Sequence, residues 1–205
     1  MKNSVVLVSQ VFSPDPTSTS ILFSPLLYKY ALDNEEDVEV FCGYPVTGAF
    51  RDLKRNEEVS KVKVRRFGLK VEAKKNLLWR AASYAGFLIH VFYGLMKLKK
   101  ETKVVCVTNP PFLFWFVAIA SRLKGFKFAH IVLDMHPEGW IALGKLSRRN
   151  LLARLWIFMN AFAYRSATLV CVLGRDMMPL LRENYGIDER KFRYIPHWRA
   201  TVSSD

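Results

Sequence analysis

The chain has 205 residues, 51% of them hydrophobic and 14% aromatic, with a mean hydropathy of +0.06; this composition excludes a disordered chain and suffices for one sizeable core. Lysine and arginine total 31 against 18 acidic residues, a formal charge of +13 with a pI of about 9.8, which predicts a polyanionic partner: a nucleic acid, an anionic membrane surface or a phosphorylated ligand. Basic residues beside aromatic and apolar runs favour the membrane surface, and no zinc-finger spacing or RNP-like string supports a nucleic acid.

The three cysteines, Cys42, Cys106 and Cys171, each lie inside or at the end of an apolar, strand-like run. No CxxC pair and no histidine at ligand spacing accompanies them, so we expect buried thiols in a reducing compartment rather than disulfides or a zinc site. The apolar segment before Ser13 is too short to be the core of a secretory signal. The sequence therefore predicts a cytoplasmic protein.

A β-branched apolar run at residues 5–8 predicts a first strand, and an apolar stripe over 21–32 predicts a helix after it. The loop between them ends in a cluster of hydroxyl side chains: Thr17, Ser18, Thr19 and Ser20. Hydroxyls and free backbone N–H groups at a helix N-terminus favour a phosphate or carboxylate ligand. The alternative is that Ser18 or Thr19 is only the helix N-cap. No GxGxxG fingerprint is present, so we do not expect a dinucleotide site.

Residues 38–42 predict a second strand, which Gly43 and Pro45 end. The region 45–56 is expected to be a mobile loop, and a charged, irregular stretch continues to Ser60. Apolar and charged residues then alternate over 61–65, a pattern typical of an exposed or edge strand.

The segment 74–100 is the most unusual part of the chain, because its apolar body is nearly long enough to cross a bilayer. Arg80 and His90 interrupt it, and two glycines dilute it. Three interpretations remain open: a buried core helix with basic ends, a helix lying on an anionic membrane, and a transmembrane span. If the helix lies on a membrane, the membrane-facing candidates are Lys74, Lys75, Trp79 and Arg80.

The second half of the chain alternates strands and helices. Strands are predicted at 104–107, 126–133, 168–173 and 192–195, and helices at 112–123, 151–164 and 174–184. The helix over 151–164 carries one apolar face formed by Leu152, Leu155, Trp156, Met159 and Phe162. This alternation predicts βαβ units, and hence an α/β fold with a Rossmann-like, doubly wound, mostly parallel sheet.

Polar side chains follow two of these strands at the point where each ends. Asp134, His136 and Glu138 come directly after the strand at 126–133, and Asn109 follows the preceding strand. Because ligands bind outside the carboxyl ends of parallel strands, we expect these side chains to line a common site. The alternative for Asp134 and Glu138 is that they merely cap the next helix.

Five segments in order, SQVFSPD, VTNPPF, LDMHPEG, YRSATLVCVLGRDM and FRYIPHW, resemble the N-terminal half of family 4 glycosyltransferases of the GT-B fold, notably those that build bacterial surface polysaccharides. The resemblance spans essentially the whole chain. It implies a single Rossmann-like, acceptor-binding lobe over residues 1–195, with 196–205 as a truncated interdomain linker. In similar proteins a second Rossmann-like domain binds the nucleotide sugar through an Arg/Lys pair and an E-x7-E element. Neither is found in these residues, so we expect no independent turnover.

The resemblance also implies roles for the candidate residues. In retaining enzymes of this kind the leaving diphosphate accepts the proton of the acceptor hydroxyl, so neither a strong protein base nor a metal or other cofactor is expected. Asp134 would orient an acceptor hydroxyl or the donor sugar, Glu138 would support it, and residues 17–20 would donate to phosphate. His136 is a candidate base, although similar proteins have Trp or Tyr there in a D-x-[WY]-P-E string, and their first loop carries a glycine that this chain lacks.

The sequence therefore predicts the acceptor-binding half of a retaining glycosyltransferase. The enzyme would move a sugar from a nucleotide sugar to a membrane-lipid-linked or saccharide acceptor in surface-polysaccharide biosynthesis, once a second domain or partner polypeptide supplies the donor half. The alternative is a non-catalytic module that holds a lipid-linked acceptor or a partner transferase at the membrane. Both place the protein in the cytoplasm, peripheral on the inner membrane. A basic nucleic-acid-binding protein would carry a charge stripe, whereas the basic residues here cluster around apolar helices.

Overall fold

The computed structural model describes residues 4–45, 53–68 and 77–196, without the side chains of residues 77, 78 and 80. Its strands are β1 (Ser4–Val8), β2 (Asp37–Gly43), β3 (Asn56–Val59), β4 (Val62–Phe67), β5 (Lys103–Val107), β6 (Lys127–Val132), β7 (Leu169–Val172) and β8 (Phe192–Tyr194). Its helices are α1 (Ser18–Asp33), α2 (Leu77–Leu95), α3 (Leu113–Lys124), α4 (Glu138–Ala142), α5 (Leu151–Ser166) and α6 (Met177–Tyr185).

These strands form one sheet in the order β3-β4-β2-β1-β5-β6-β7-β8. Every neighbouring pair is parallel except β3 and β4. The chain therefore winds outward from β1 in one direction and then from β5 in the other, which confirms the predicted doubly wound, mostly parallel sheet. The strand order reverses between β1 and β5, and at such a switch point the loops diverge and leave a crevice outside the carboxyl ends of the strands.

The helices cover the two faces of the sheet unequally. Residues of α2, α3, α5 and α6 pack on one face, in a core that includes Val91, Val117 and Leu181. The other face is covered by α1, which contributes Phe23 and Ala31 over β1, β2 and β4. This division follows from right-handed crossovers, because a helix that leads outward from β1 and a helix that leads outward from β5 lie on opposite faces.

The alternating strand predicted after Ser60 is present as β4, with buried and exposed residues in turn, but it is not the edge strand, and the stretch before it is not irregular throughout. Residues Asn56–Val59 form β3, which pairs antiparallel with β4 and takes the edge position. The two strands are joined by Ser60 and Lys61, both with positive φ (49° and 63°), as in a two-residue type I′ hairpin turn. Such turns usually contain Asn-Gly or Asp-Gly, so Ser-Lys carried no recognisable signal. The expected loop at 45–56 lies partly outside the described residues.

Helix α2 has a buried side and an exposed aromatic side. Phe87, Val91 and Leu95 are at most 2% exposed and belong to the core, as expected for a helix packed on the sheet. The outer side carries exposed large side chains: Trp79, Tyr84, Ile89 and Tyr93. Of the other predicted membrane-facing residues, Lys74, Lys75 and the side chain of Arg80 lie outside the described part of the chain. Within that part, no helix has both the length and the apolar character that a bilayer crossing needs.

Helix α5 buries only a narrow face, and several of its large apolar side chains lie in solvent. Ala153, Asn160, Ala163 and Tyr164 are its buried residues, whereas two members of the predicted apolar face, Leu152 and Leu155, are 71% and 55% exposed. The sequence pattern identified an apolar stripe correctly, but most of that stripe does not face the sheet.

His130 lies at the centre of the core, with no exposed surface. Its ring stacks on Phe114 at 4.5 Å between centroids, and its Nδ1 lies 3.2 Å from the carbonyl oxygen of Cys106. Since a carbonyl can only accept, Nδ1 carries a proton, while the buried Nε2 has no hydrogen-bond partner among the described residues. Burial lowers the pKa of His130 to about 4, against the smaller, raising effect of the hydrogen bond to Cys106.

This histidine makes the fold sensitive to acid. The unfolded state, with an ordinary histidine pKa, binds a proton below about pH 6.5 and the folded state only near pH 4, so stability is lost as the pH falls through that interval. We expect the protonation of this side chain to lower the free energy of unfolding by about 2 kcal/mol between about pH 7.5 and about pH 5. Urea unfolding of wild type and His130→Asn at several pH values measures the difference; equal pH dependence in both would contradict the assignment.

Candidate active site at the carboxyl edge of the sheet

The loop after β1 is anchored on both sides. The backbone N–H of Gln10 donates to the carbonyl of Asn109 at 3.2 Å, and the N–H of Gly43 donates to the carbonyl of Gln10 at 2.8 Å. A Cβ at Gly43 would lie 3.0 Å from that carbonyl oxygen, so glycine permits the close approach. The first loop is thus held between the ends of β2 and β5, and Asn109, a predicted site residue, borders it.

Thr108 joins the end of β5 to the end of β6. Its hydroxyl donates to the carbonyl of Ile131 at 3.2 Å and accepts from the N–H of Leu133 at 2.9 Å, which places Asp134 one residue beyond a fixed point. Because neighbouring strands are about 4.8 Å apart, β1 and β6 are separated by only about 10 Å. The sheet therefore brings the first loop, Asn109 and the Asp134 loop to one edge. Sequence analysis missed the role of Thr108.

The hydroxyl cluster divides into a solvent-facing part and a buried part. Thr17 is the N-cap of α1, and its Oγ1 accepts from the N–H of Ser20 at 3.3 Å. Thr19 and Ser20 are only 8% and 3% exposed, so they do not face a ligand from solvent. Ser18 is exposed, and the N–H groups of Ser18 and Thr19 have no acceptor among the described residues. A hydroxyl side chain of this cluster is indeed the helix N-cap, but it is Thr17 and not Ser18 or Thr19.

Arg66, on β4, supports the first loop by a hydrogen bond to its backbone, a role that was not predicted from the sequence. Its side chain is 1% exposed, and its Nη2 donates to the carbonyl of Ser13 at 2.9 Å and to the carboxylate of Glu57 at 2.6 Å. Its Nη1 lies 3.4 Å from the sulfur of Cys42; burial raises the pKa of that thiol to about 12, although the arginine opposes the shift. The signal was present, because Arg66 occupies the inward position that Val62 and Val64 set by alternation.

Asp134 and His136 differ in their surroundings. Asp134 is exposed and makes no hydrogen bond with the described residues, so its carboxylate is available to a ligand. The ring of His136 lies 5.7 Å from that of Trp140 and 6.4 Å from that of Trp156. Its Nδ1 is buried without a hydrogen-bond partner in the described part of the chain. His136 thus belongs to an aromatic wall beside Asp134.

Glu138 is engaged by a buried network. Its carboxylate accepts a hydrogen bond from the hydroxyl of Tyr185, which in turn accepts from Nδ2 of Asn160 at 3.1 Å. The same Nδ2 donates to the carbonyl of His136 at 2.6 Å, and Oδ1 accepts from Nε1 of Trp115 at 2.8 Å. Burial, and next the bond to Glu138, raise the pKa of Tyr185. Glu138 is therefore placed to hold the loop that carries Asp134.

The fold and the carboxyl edge of its sheet define a class of protein. It is a Rossmann-like domain with a carboxylate, Asp134, and a helix N-terminus, that of α1, on either side of its topological switch point. In the described residues no three His, Cys, Asp or Glu side chains are grouped as a metal site would require. Residues 28–198 match the model of the glycosyl transferase 4-like domain, and the chain belongs to that family. The resemblance to family 4 GT-B glycosyltransferases is thereby confirmed.

Individual relatives agree with this assignment. The chain is 33% identical over 102 residues to the probable glycosyltransferase WbjE of Pseudomonas aeruginosa, a match that covers 50% of this chain and 25% of WbjE. Among solved structures, sucrose-phosphate synthase of Thermosynechococcus elongatus has a TM-score of 0.61 at 12% identity, covering 95% of this chain and 48% of that one. HepE of Anabaena, solved with UDP-glucose, has a TM-score of 0.53 at 17% identity, covering 94% and 43%. The chain thus spans a quarter to a half of the length of these relatives, and the structural likenesses show the fold.

Proposed function

We propose that this chain is the acceptor-binding part of a retaining glycosyltransferase that uses a nucleotide-sugar donor. The observation that carries the proposal is that the first loop, which leads into α1, and the Asp134 loop lie at one edge of the sheet, the first tied to Asn109 by the N–H of Gln10 and the second tied to the end of β5 by Thr108. The family assignment and the UDP-glucose complex of HepE support it. The donor would be held together with a second domain, or with a partner polypeptide that carries the donor half.

In the proposed reaction the acceptor oxygen bonds to the anomeric carbon of the sugar while the bond from that carbon to the leaving diphosphate breaks. The proton of the acceptor hydroxyl passes to a phosphate oxygen of the leaving group. Asp134, free and exposed, orients that hydroxyl or stabilises the positive charge that develops on the sugar. The N–H groups of Ser18 and Thr19, with the hydroxyls of Thr17 and Ser18, stabilise the negative charge on phosphate.

The remaining candidates serve mainly to position these groups. Glu138 fixes the loop through Tyr185, and Asn109 anchors the first loop through its carbonyl. His136 lies against Trp140 and Trp156, which favours contact with the apolar face of a sugar ring over proton transfer. A lipid-linked or saccharide acceptor, a place in surface-polysaccharide biosynthesis and a peripheral position on the cytoplasmic face of the inner membrane complete the proposal.

The exposed side chains of α2, among them Trp79 and Tyr93, favour a second candidate function. In this alternative the chain is a non-catalytic module that holds a lipid-linked acceptor or a partner transferase at the membrane. It predicts membrane binding and partner binding without any contribution to sugar transfer.

Replacing Asp134 by asparagine tests the proposal. We expect transfer to fall about 100-fold, because a preorganised charge at the reacting centre is lost while the exposed site keeps its fold. Sugar transfer is measured with the full chain and a polypeptide that supplies the donor half. The matched control is Glu101→Gln, an exposed carboxylate before the start of β5, at the opposite edge of the sheet. Undiminished transfer in Asp134→Asn removes Asp134 from the mechanism, and transfer that does not depend on this chain favours the non-catalytic module.

A further inference from the structure

The outer surface of α4 and α5 exposes an apolar patch of unusual size. Six side chains, which we call the α4–α5 patch, are between 45% and 77% exposed: Trp140, Leu143, Leu151, Leu152, Leu155 and Phe158. Scattered exposed apolar residues are normal on a protein surface, but contiguous groups of this kind mark interaction sites. The patch therefore needs an occupant.

Most of the patch lies along one side of α5, and an aromatic contact links α4 to that helix. On α5, Leu151, Leu155 and Phe158 are spaced i, i+4 and i+7, so they lie along one side of the helix. The small and polar residues Ala153 and Asn160 take the opposite, buried side. The ring of Trp140 lies 5.7 Å from that of Trp156, which connects the end of α4 to the α5 stripe.

The segment that forms the patch carries charge of one sign. Between Glu138 and Asp176 the sequence contains six basic residues and no acidic one. Four of the six are exposed and lie on the connection between α4 and α5 or on the first turn of α5: Lys145, Arg148, Arg149 and Arg154. Within the described residues none of these four has an ion-pair partner; Arg148 donates to the amide oxygen of Asn184 at 2.7 Å. Their charge is thus available to an anionic surface.

We propose that the α4–α5 patch is the surface by which this protein docks on an anionic lipid bilayer. A helix face with large apolar side chains flanked by unpaired Lys and Arg is suited to the interface of such a bilayer, where the apolar groups enter the acyl boundary and the cations meet lipid phosphates. The segment between Glu138 and Asp176, which forms the patch, offers exposed cations to lipid phosphates and has no acidic residue to offer to the cations of a protein partner. The occupant that the charge pattern fits is the lipid surface.

The position of the patch connects it with the candidate active site. α4 begins at Glu138, directly after the Asp134 loop, and its Trp140 contacts both His136 and Trp156. Docking through the patch therefore holds the carboxyl edge of the sheet beside the bilayer. A lipid-linked acceptor could then reach Asp134 without leaving the membrane. This last consequence rests on the proposed function, whereas the choice of the α4–α5 patch as the docking surface rests only on its exposure and charge.

Vesicle binding tests the proposal without donor, acceptor or transfer. The full chain is sedimented with vesicles of phosphatidylethanolamine and phosphatidylglycerol, and with vesicles of phosphatidylcholine, at low and high salt. We expect binding to the anionic vesicles that weakens steeply with salt. Quenching of Trp140 fluorescence by lipids brominated in the acyl chain, lost in Trp140→Phe, reports insertion of the patch.

Two variants, each with a matched control, locate the surface. The double variant Arg148→Glu with Arg149→Glu should lower the coefficient for partition onto anionic vesicles at least about 25-fold, because each cation removed weakens binding about fivefold. Its control is Lys124→Glu with Lys127→Glu, which makes the same change of charge at exposed residues outside the patch. Leu151→Gln, Leu155→Gln and Phe158→Gln together should lower it about tenfold or more. Their control is Ile21→Gln, Leu26→Gln and Leu32→Gln, which are similarly exposed on α1.

The possible results are distinct. Patch variants that bind vesicles as wild type does overturn the proposal, and so does a loss of binding caused only by Trp79→Gln with Tyr93→Gln, which would place the membrane on α2. Absence of binding to anionic vesicles at low salt overturns it as well. If the patch variants instead dissociate an oligomer seen by gel filtration, the patch is a protein interface. Sugar transfer from a soluble acceptor that survives in the patch variants shows that the proposed function stands whether or not docking does.

Discussion

Replacing Glu57 by glutamine should destabilise the protein by about 3–5 kcal/mol, because the substitution leaves the charge of Arg66 buried without a counter-charge. Arg66 is 1% exposed, and Glu57, 22% exposed, is its acidic partner at 2.6 Å. Few surface-strand substitutions have comparable effects, since exposed pairs such as Lys63 with Asp37 contribute about 0–1 kcal/mol. The free energy of unfolding from urea denaturation measures the loss.

A double-mutant cycle separates the interaction energy of Arg66 and Glu57 from the contribution of each residue alone. Arg66→Met with Glu57→Gln removes both charges, so it should be more stable than Glu57→Gln alone. Asp37→Asn, which breaks the exposed pair of Asp37 on β2 with Lys63 on β4, is the control and should change stability by less than about 1 kcal/mol. If Glu57→Gln were as mild as that control, Arg66 would not depend on Glu57, and the support of the first loop at Ser13 would need another explanation.

Asn160→Ala should cost about 2–4 kcal/mol, because it leaves several buried groups without hydrogen-bond partners. The Asn160 amide joins Trp115, Tyr185 and the carbonyl of His136, and its side chain is 1% exposed. The loss should be accompanied by a weaker hold on the loop that carries Asp134. Urea unfolding measures the stability, and near-ultraviolet circular dichroism reports the change around Trp115.

Two further substitutions define the origin of this effect. Tyr185→Phe removes only the hydroxyl between Asn160 and Glu138, and should cost about 1–2 kcal/mol. Asn184→Ala, at a half-buried asparagine whose side chain only accepts from the exposed Arg148, should stay within about 0.5 kcal/mol of wild type. A loss in Asn160→Ala no larger than in Asn184→Ala would contradict the network.

Much of the fold follows from local patterns. Short β-branched runs such as residues 5–8 and 104–107 predicted β1 and β5 because buried parallel strands are apolar on both faces. The strand β3 (Asn56–Val59) was missed because it is short, three of its four residues are polar, and most of it is exposed. Its existence depends on a turn and on pairing with β4, and pairing between segments has no local signature.

The candidate site was predicted in part. The end of each strand marks where its loop begins, so Asp134, Glu138 and Asn109 could be assigned to one edge as soon as a parallel sheet was inferred. Which hydroxyls face a ligand could not be assigned, because the burial of Thr19 and Ser20 depends on how α1 packs. Arg66 could have been found from the alternation of β4, but its partner Glu57 lies on β3, a strand that was not predicted; Asn160 could not, because its partners Trp115 and Tyr185 are brought to it only by packing.

The amino-acid sequence by itself determined the class of fold, the family resemblance and the edge at which a ligand would bind, because periodicity and strand ends are properties of neighbouring residues. Only the tertiary structure decided which apolar face of α5 is buried. Hydrophobic periodicity shows that a helix has an apolar side but not whether that side meets the sheet or the solvent. On α5 the close approach to the core is made by Ala153 and Ala163, so Leu151, Leu155 and Phe158 remain outside.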